Sequence, residues 1–383
     1  MQSERRFHFH AYARWRTAVT WTTNTTLVFL AVLLATPVAA AESYQTAYRR
    51  YQELVAQGDW QTASEYSHRA YEMAREELGE DNLTTARLAH NFALNLSRLN
   101  QASGAKHIFK QALRSYELVF GESSVELIPV LLDYADTRMD FPLLKNLSLP
   151  DSKEDSGELV ERAIRISEQG YGRSSAEHAQ VLMQAGFVYA RYRNKQGLSV
   201  LKASQKLYEK LEMPQEQANA TYAIGMLQRK LGNTGQANKA LKTALDIIER
   251  ESVDDLGLKL STRLELARVL FERDKIDEAK DQRDRAIGVA VALGDAGPEL
   301  LGSVAAERPR KSAWVNKYEW VSVEYVVDAS GNVALPQLIN SSGPEVFEEA
   351  AIQAVKQFLF LPKVVDGKPV LSRGHAKKFL FYR

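Results

Sequence analysis

The 383-residue chain has no cysteine, 11 prolines, seven histidines, and almost no excess of either charge, with a formal net charge of +1. Without cysteine there is no disulfide framework, thiolate zinc site, iron–sulfur cluster or thiol nucleophile. A near-zero balance gives no overall attraction to nucleic acid. Apolar residues at 45% and charged residues at 25% match ordinary globular usage, which excludes a disordered chain and a polytopic membrane protein. Catalytic patterns are missing as well: there is no H-E-x-x-H, G-x-S-x-G, Walker or G-x-G-x-x-G sequence. His68, His90, His107, His178 and His375 are scattered, with no metal-ligand spacing. No catalytic residue, cofactor or metal is expected.

The single long apolar stretch lies at the start. Arg5, Arg6, Arg14 and Arg16 face Glu4 alone, giving the first 41 residues a net +3. The run Leu27 to Ala35 follows, then Pro37, Val38, Ala39, Ala40 and Ala41. A basic start, a short apolar run and small residues at −3 and −1 are the parts of a secretory signal, with cleavage expected after Ala40 or Ala41. The alternative is an uncleaved anchor. Thr25 to Ala41 gives 17 residues, including Thr36 and Pro37, short of the roughly 20 apolar residues a span needs.

From Ser43 to Gly294 the chain is polar, helical in pattern and poor in proline. An alanine recurs in similar surroundings at Ala70, Ala112, Ala163, Ala203, Ala244 and Ala286, at intervals of 42, 51, 40, 41 and 42. Seven residues earlier stands another small residue in four copies, Ala63, Ala105, Ala237 and Ala279. Turn residues precede these: Gly58-Asp59-Trp60, Asn100-Gln101-Ala102, Gly232-Asn233-Thr234 and Asp274-Lys275-Ile276. Two helices approach closely only where side chains are small, so a fixed spacing of Ala or Gly marks crossing points of repeated hairpins. In the fifth copy Gly225, Ala237, Leu241 and Ala244 take these roles; in the second, Ala93, Leu96, Ala105, Phe109 and Ala112 do.

This pattern resembles the tetratricopeptide repeat, in about six units over 42–294, with the longer period of the kinesin light chain variety. The third unit is about nine residues longer, with an extra loop expected from Phe141-Pro142 through Gly157. The fourth has Gln196 at the second-helix small position and is expected to pack loosely. Stacked hairpins make a groove suited to a peptide or partner helix. Tyr48 and Gln52 stand at the first carboxylate-clamp positions and only Asn91 is of the matching type, so the clamp is not expected. Tyr44, Tyr48 and Tyr51 read as a packing stripe rather than a binding face.

After Gly294, Pro298, Gly302 and the run Arg308-Pro309-Arg310-Lys311 read as a linker over 295–313. Trp320 to Val327 alternates with period two, Asp328 to Asn332 supplies a turn, and Val333 to Asn340 returns as a second strand. A helix is predicted from Glu345 to Gln357, with Phe347, Ala350, Ala351, Ala354 and Val355 on one side. Phe360-Leu361-Pro362 ends it, and Ala376 to Tyr382 alternates again. The order is β-β-α-β.

Over residues 314–383 the chain resembles the TonB C-terminal domain. The resemblance rests on the V-x-V-x-Y-x-V-D-x-x-G-x-V hairpin, Ser341-Ser342-Gly343, the helix with Phe347, Ala350, Ala351, Ala354 and Val355, then Phe358, Phe360, Pro362, Gly367, Pro369, Val370 and a final aromatic strand. Members usually open with Tyr-Pro and a following Ala, and nothing before Trp320 fits. The expected fold is therefore an all-α superhelical repeat solenoid plus a small α+β domain. The second resemblance implies protein partners held by strand addition, such as the TonB box of an outer-membrane receptor. Carried onto this sequence, the partner-binding edge is His375, Lys377, Lys378, Phe379, Phe381 and Tyr382. Residues 350–383 hold seven Lys and Arg against Asp366, which favours an acidic partner or guards the edge against aggregation. The expected role is a periplasmic protein-binding scaffold, with no nucleic acid, and with the membrane only if the leader is uncleaved. The alternative is an inner-membrane-anchored energy transducer for receptor-mediated transport. Against it stand an apolar run without His or ionisable residues, and repeats in place of a Pro-rich spacer.

Overall fold

A computed structural model describes residues 42–137, 156–192, 194–310, 314 and 316–382. The leader and most of the extra loop of the third unit lie outside the described residues. No helix among the described residues is long and apolar enough to cross a membrane.

Twelve described helices make the array, paired as six hairpins: α1 (Tyr44–Gln57) with α2 (Trp60–Leu78), α3 (Leu83–Arg98) with α4 (Ala102–Phe120), α5 (Ile128–Asp136) with α6 (Ser156–Tyr171), α7 (Ala176–Tyr192) with α8 (Asn194–Lys210), α9 (Pro214–Lys230) with α10 (Thr234–Arg250), and α11 (Leu256–Glu272) with α12 (Ile276–Leu293). The chain reverses inside hairpins through left-handed residues at Gly58, Asn100, Gly232 and Asp274. These lead the four turn segments of the sequence pattern, where Gly, Asn and Asp tolerate positive φ. Starts are capped by side chains where the sequence offers one: Thr62 N donates to Asp59 Oδ1 (3.1 Å), Thr84 N to Asn82 Oδ1 (2.8 Å) and Leu258 N to Asp255 Oδ1 (2.8 Å).

The recurring small residues are the contact points. Ala63, Ala70, Ala105, Ala112, Ala163, Ala237, Ala244, Ala279 and Ala286 are all buried. A Cβ on Gly225 would stand 2.7 Å from Leu241 Cγ, so the first and second helices of the fifth unit touch there. Tyr44 and Tyr48 pack against the N-terminal core, the place expected for a packing stripe.

The fourth unit corrects the sequence expectation. Ala203 and Gln196 face solvent. The small positions are filled one residue later by Gly197 and Ser204, which are buried together with Leu201 and Tyr208. A Cβ on Gly197 would lie 2.9 Å from the Ala190 amide nitrogen and 3.0 Å from the Gly186 carbonyl, and Ser204 Oγ donates to the Ala179 carbonyl (2.7 Å). This hairpin is therefore tight. With Ser204 in the series the two flanking intervals become 41 and 40.

First helices touch one another across units (α5 on α7, α7 on α9, α9 on α11), so they form the inner layer of the superhelix and the second helices the outer one.

The C-terminal domain is built from β2 (Tyr318–Val327), β3 (Val333–Ser341), α13 (Glu345–Lys356) and β7 (Ser372–Tyr382). The antiparallel sheet has the order β3-β2-β7, and α13 covers one face. Val321, Val323, Tyr325, Val327, Phe379 and Phe381 meet Phe347, Ala351, Ala354 and Val355 in its core. The segment read as a linker contains a further strand, β1 (Glu299–Gly302), which pairs antiparallel with β4 (Leu359–Leu361); β5 (Lys363–Val365) and β6 (Lys368–Val370) form a small hairpin. Trp314 closes the front of the domain, edge-on to Phe347 at 5.0 Å.

The array and the domain share a core. Leu301, Leu359, Leu361 and Val364 are buried against Leu266, Leu270, Phe271, Ala286 and Ala290 of α11 and α12. Arg283 of α12, itself buried, donates Nη1 to Asn332 Oδ1 in the β2–β3 turn (2.8 Å).

Candidate functional site

The candidate site is the free edge of the three-stranded sheet. β7 pairs with β2 in register from Tyr318 opposite Tyr382 to Tyr325 opposite His375, and no described strand pairs with its other side. The opposite edge differs. β3 carries Pro336, a left-handed Leu335 and two register shifts against β2, devices that spoil an edge for further pairing. One regular edge is left open, and it is β7.

Period-two geometry sorts the six residues expected there. Phe379 and Phe381 are buried in the domain core, against Phe358 (6.2 Å) and Phe347 (5.1 Å), so their side chains hold the sheet and do not reach a partner. Their part in the edge is therefore their main chain. Lys378 and Tyr382 face outward: Lys378 Nζ lies 4.1 Å over the Trp320 ring, and Tyr382 is 60% exposed. Lys377 is half-buried. His375 stacks on Tyr325 at 5.7 Å, with its Nε2 2.8 Å from Ser372 Oγ, and anchors the start of the regular edge.

The structure adds residues that sequence reasoning left out. Leu380 (49% exposed) stands between Lys378 and Tyr382 on the outer face, opposite Trp320, and Tyr318 (56% exposed) stands opposite Tyr382. Alternation alone puts Leu380 on the face opposite Phe379 and Phe381. Tyr318 and Trp320 follow only from the register of β2 on β7, which pairs residues far apart in the chain. The outer face thus presents one aromatic–aromatic pair, Tyr318 with Tyr382, and one aromatic–apolar pair, Trp320 with Leu380, with an ammonium beside them.

Behind the edge a buried carboxylate fixes the strand's start. Glu319 is 0% exposed and accepts bonds from Asn316 N (2.8 Å), Asn316 Nδ2 (3.1 Å) and Ser342 Oγ (2.8 Å). Ser342 Oγ in turn accepts from Trp320 N (2.9 Å). The Ser341-Ser342-Gly343 motif thereby ties β2 to the turn before α13. Burial raises the Tyr325 phenol above its ordinary pKa, as expected of a core ring.

Other concavities are less directed. An open cleft of about 560 Å³ between α4 and α6 is lined by interspersed charges, among them Lys110, Arg114, Glu117 and Arg162. Among the described residues no cluster of three or more His, Asp or Glu is arranged to hold a metal ion.

Comparison with known proteins places names on both parts. Residues 54–117 match the tetratricopeptide repeat model, and residues 309–381 match that of the Gram-negative bacterial TonB protein C-terminal. Over 55 residues, 14% of this chain, the sequence is 44% identical to Protein TonB of Vibrio cholerae serotype O1. The match spans 22% of that relative's length. Among solved structures, the chain is similar to aspartyl phosphate phosphatase F from Bacillus subtilis (12% identity, 68% of this chain and 77% of that one, TM-score 0.44). It is similar also to BtubC from P. vanneervenii (15% identity, 70% and 98%, TM-score 0.44). The chain therefore carries a tetratricopeptide repeat and, behind it, a TonB C-terminal domain, two interaction folds in one polypeptide.

Proposed function

We propose that this protein is a periplasmic binding scaffold whose repeat groove holds one protein partner while the β7 edge takes up an extended segment of an envelope or outer-membrane receptor by strand addition. The observation that carries the reading is the regular edge of the three-stranded sheet at β7, which no described strand pairs on its outer side, with Lys378, Leu380 and Tyr382 facing outward. Main-chain bonds along such an edge supply affinity, and alternate side chains supply selectivity. The test is capture of envelope proteins by the full chain and by a variant carrying Lys377→Glu and Lys378→Glu. The proposal expects a captured outer-membrane protein to be lost with the charge reversal; equal capture by both sinks it.

The match to Protein TonB favours a second reading, an inner-membrane-anchored transducer. Mass determination of the mature N-terminus separates the two. A start at Ala41 or Glu42 excludes an anchor, and an intact N-terminus in the inner-membrane fraction favours the transducer.

A further inference from the structure

The inner face of the last unit is already occupied by the chain itself. β1 lies along α11, the first helix of the sixth unit. Its Glu299 carboxylate accepts a bond from Arg268 Nη2. Its Leu301 is buried, and Gly302 lies so close that a Cβ there would meet the Phe271 ring carbons at 2.3 Å. Arg268 also donates to Glu265 (3.2 Å), which accepts from Arg229 of α9 (2.9 Å), while Arg229 reaches Glu272 (2.7 Å). Tyr222 of α9 sits among these groups; burial, with Glu265 and Glu299 beside it, raises its phenol well above the ordinary range. The wall under β1 therefore offers a guanidinium, a desolvated phenol and an aromatic ring on the layer a groove ligand would use.

We infer that residues 296–304 are an in-cis occupant of the C-terminal end of the groove, and that this end is built for an extended peptide bearing a carboxylate, a leucine-sized side chain two residues on, and glycine next. Each requirement has its partner: Arg268 for the carboxylate, the α11 core for the leucine, and the Phe271 ring for the missing Cβ. The occupant is also the edge partner of β4, which reaches the docking domain through the Asn332–Leu359 bridge and the Phe360 N bond to the Gly331 carbonyl (3.0 Å). A competing peptide at this end displaces β1 and so loosens β4. Groove occupancy and the order of β4 are linked, because a peptide in the groove and β4 compete for the same segment, β1. The inference rests on reading the array as a peptide groove and is independent of docking at β7.

The test uses the full chain and a fluorescein-labelled peptide of residues 296–304 added in trans. A site filled in cis lowers apparent affinity by the fraction of chains in which it is open. Leu301→Asp, which ejects the segment, is expected to bind the peptide at least about tenfold more tightly than wild type. Arg268→Glu in that background is expected to abolish binding. Hydrogen exchange in β4 should accelerate in Leu301→Asp while the amides of α9 stay protected. If Leu301→Asp loses helical structure, Gly302→Ala, which wedges β1 off Phe271, is read instead. Equal binding by wild type and the opened variant, or none by either, overturns the inference. Loss of receptor capture with peptide binding intact refutes only docking at β7.

Discussion

Leu361→Ala tests whether the C-terminal domain and the last hairpin form one packed unit. Leu361 is 1% exposed, in the core that joins β1 and β4 to α11 and α12. The substitution deletes three buried carbons, about 2.4 kcal/mol at about 0.8 kcal/mol each. The cavity left behind brings the cost to about 3–5 kcal/mol where neighbours on two sides hold their positions. That is a large share of the roughly 5–15 kcal/mol typical of a whole domain. Native-state hydrogen exchange on the full chain gives a readout by element. The shared core predicts that protection falls together in β1, β4, α11 and α12, while α3 and α4, four units away, keep theirs. Loss of protection confined to β2, β3 and β7, with α11 and α12 unchanged, would mean that the domain packs by itself and would refute the reasoning.

Three further outcomes follow from single sites. Gly197→Val should destabilise the array by about 1–3 kcal/mol through overpacking against Ala190, whereas Ala203→Val should cost under about 0.5 kcal/mol; urea denaturation of both variants checks the corrected register. Burial, only partly opposed by Glu168, lowers the His178 pKa, so the folded state binds that proton more weakly than the unfolded chain. Its contribution is present above the unfolded value of about 6.5 and is lost as pH falls through that value toward the lower folded pKa; His178→Asn should flatten the thermal midpoint between about pH 7 and 5. Glu319→Leu deprives the Asn316 amide and the Ser342 hydroxyl, both on exposed residues, of their acceptor, at about 0.5–1.5 kcal/mol for each hydrogen bond lost. Glu319→Gln, which keeps an acceptor, should cost less by calorimetry.

The parts legible in the sequence are those governed by local rules. Alanine at fixed spacing marks helix crossings because side-chain size limits approach, and Gly58, Asn100, Gly232 and Asp274 mark reversals because positive φ selects residue type. The hairpin of β2 and β3 and the helix α13 followed from periods of two and about 3.6. What was missed depends on distant partners. Glu299–Gly302 is too short and too plain to read as a strand until β4, some sixty residues on, supplies its pair. The shift from Ala203 to Ser204 is invisible locally because both are small; only the approach of α7 to Gly197 decides it. At the edge, alternation puts Phe379 and Phe381 on one face, but which face is inside depends on α13.

Photo-crosslinking in whole cells tests the central claim most directly, with a crosslinking residue placed singly at Lys378, at Tyr382 and, on the blunted opposite edge, at Gln337. Strand addition at β7 predicts that Lys378 and Tyr382 capture an extended segment of an outer-membrane or other envelope protein, with Gln337 silent. Capture from Gln337 at equal yield, or none from the β7 positions, would contradict it.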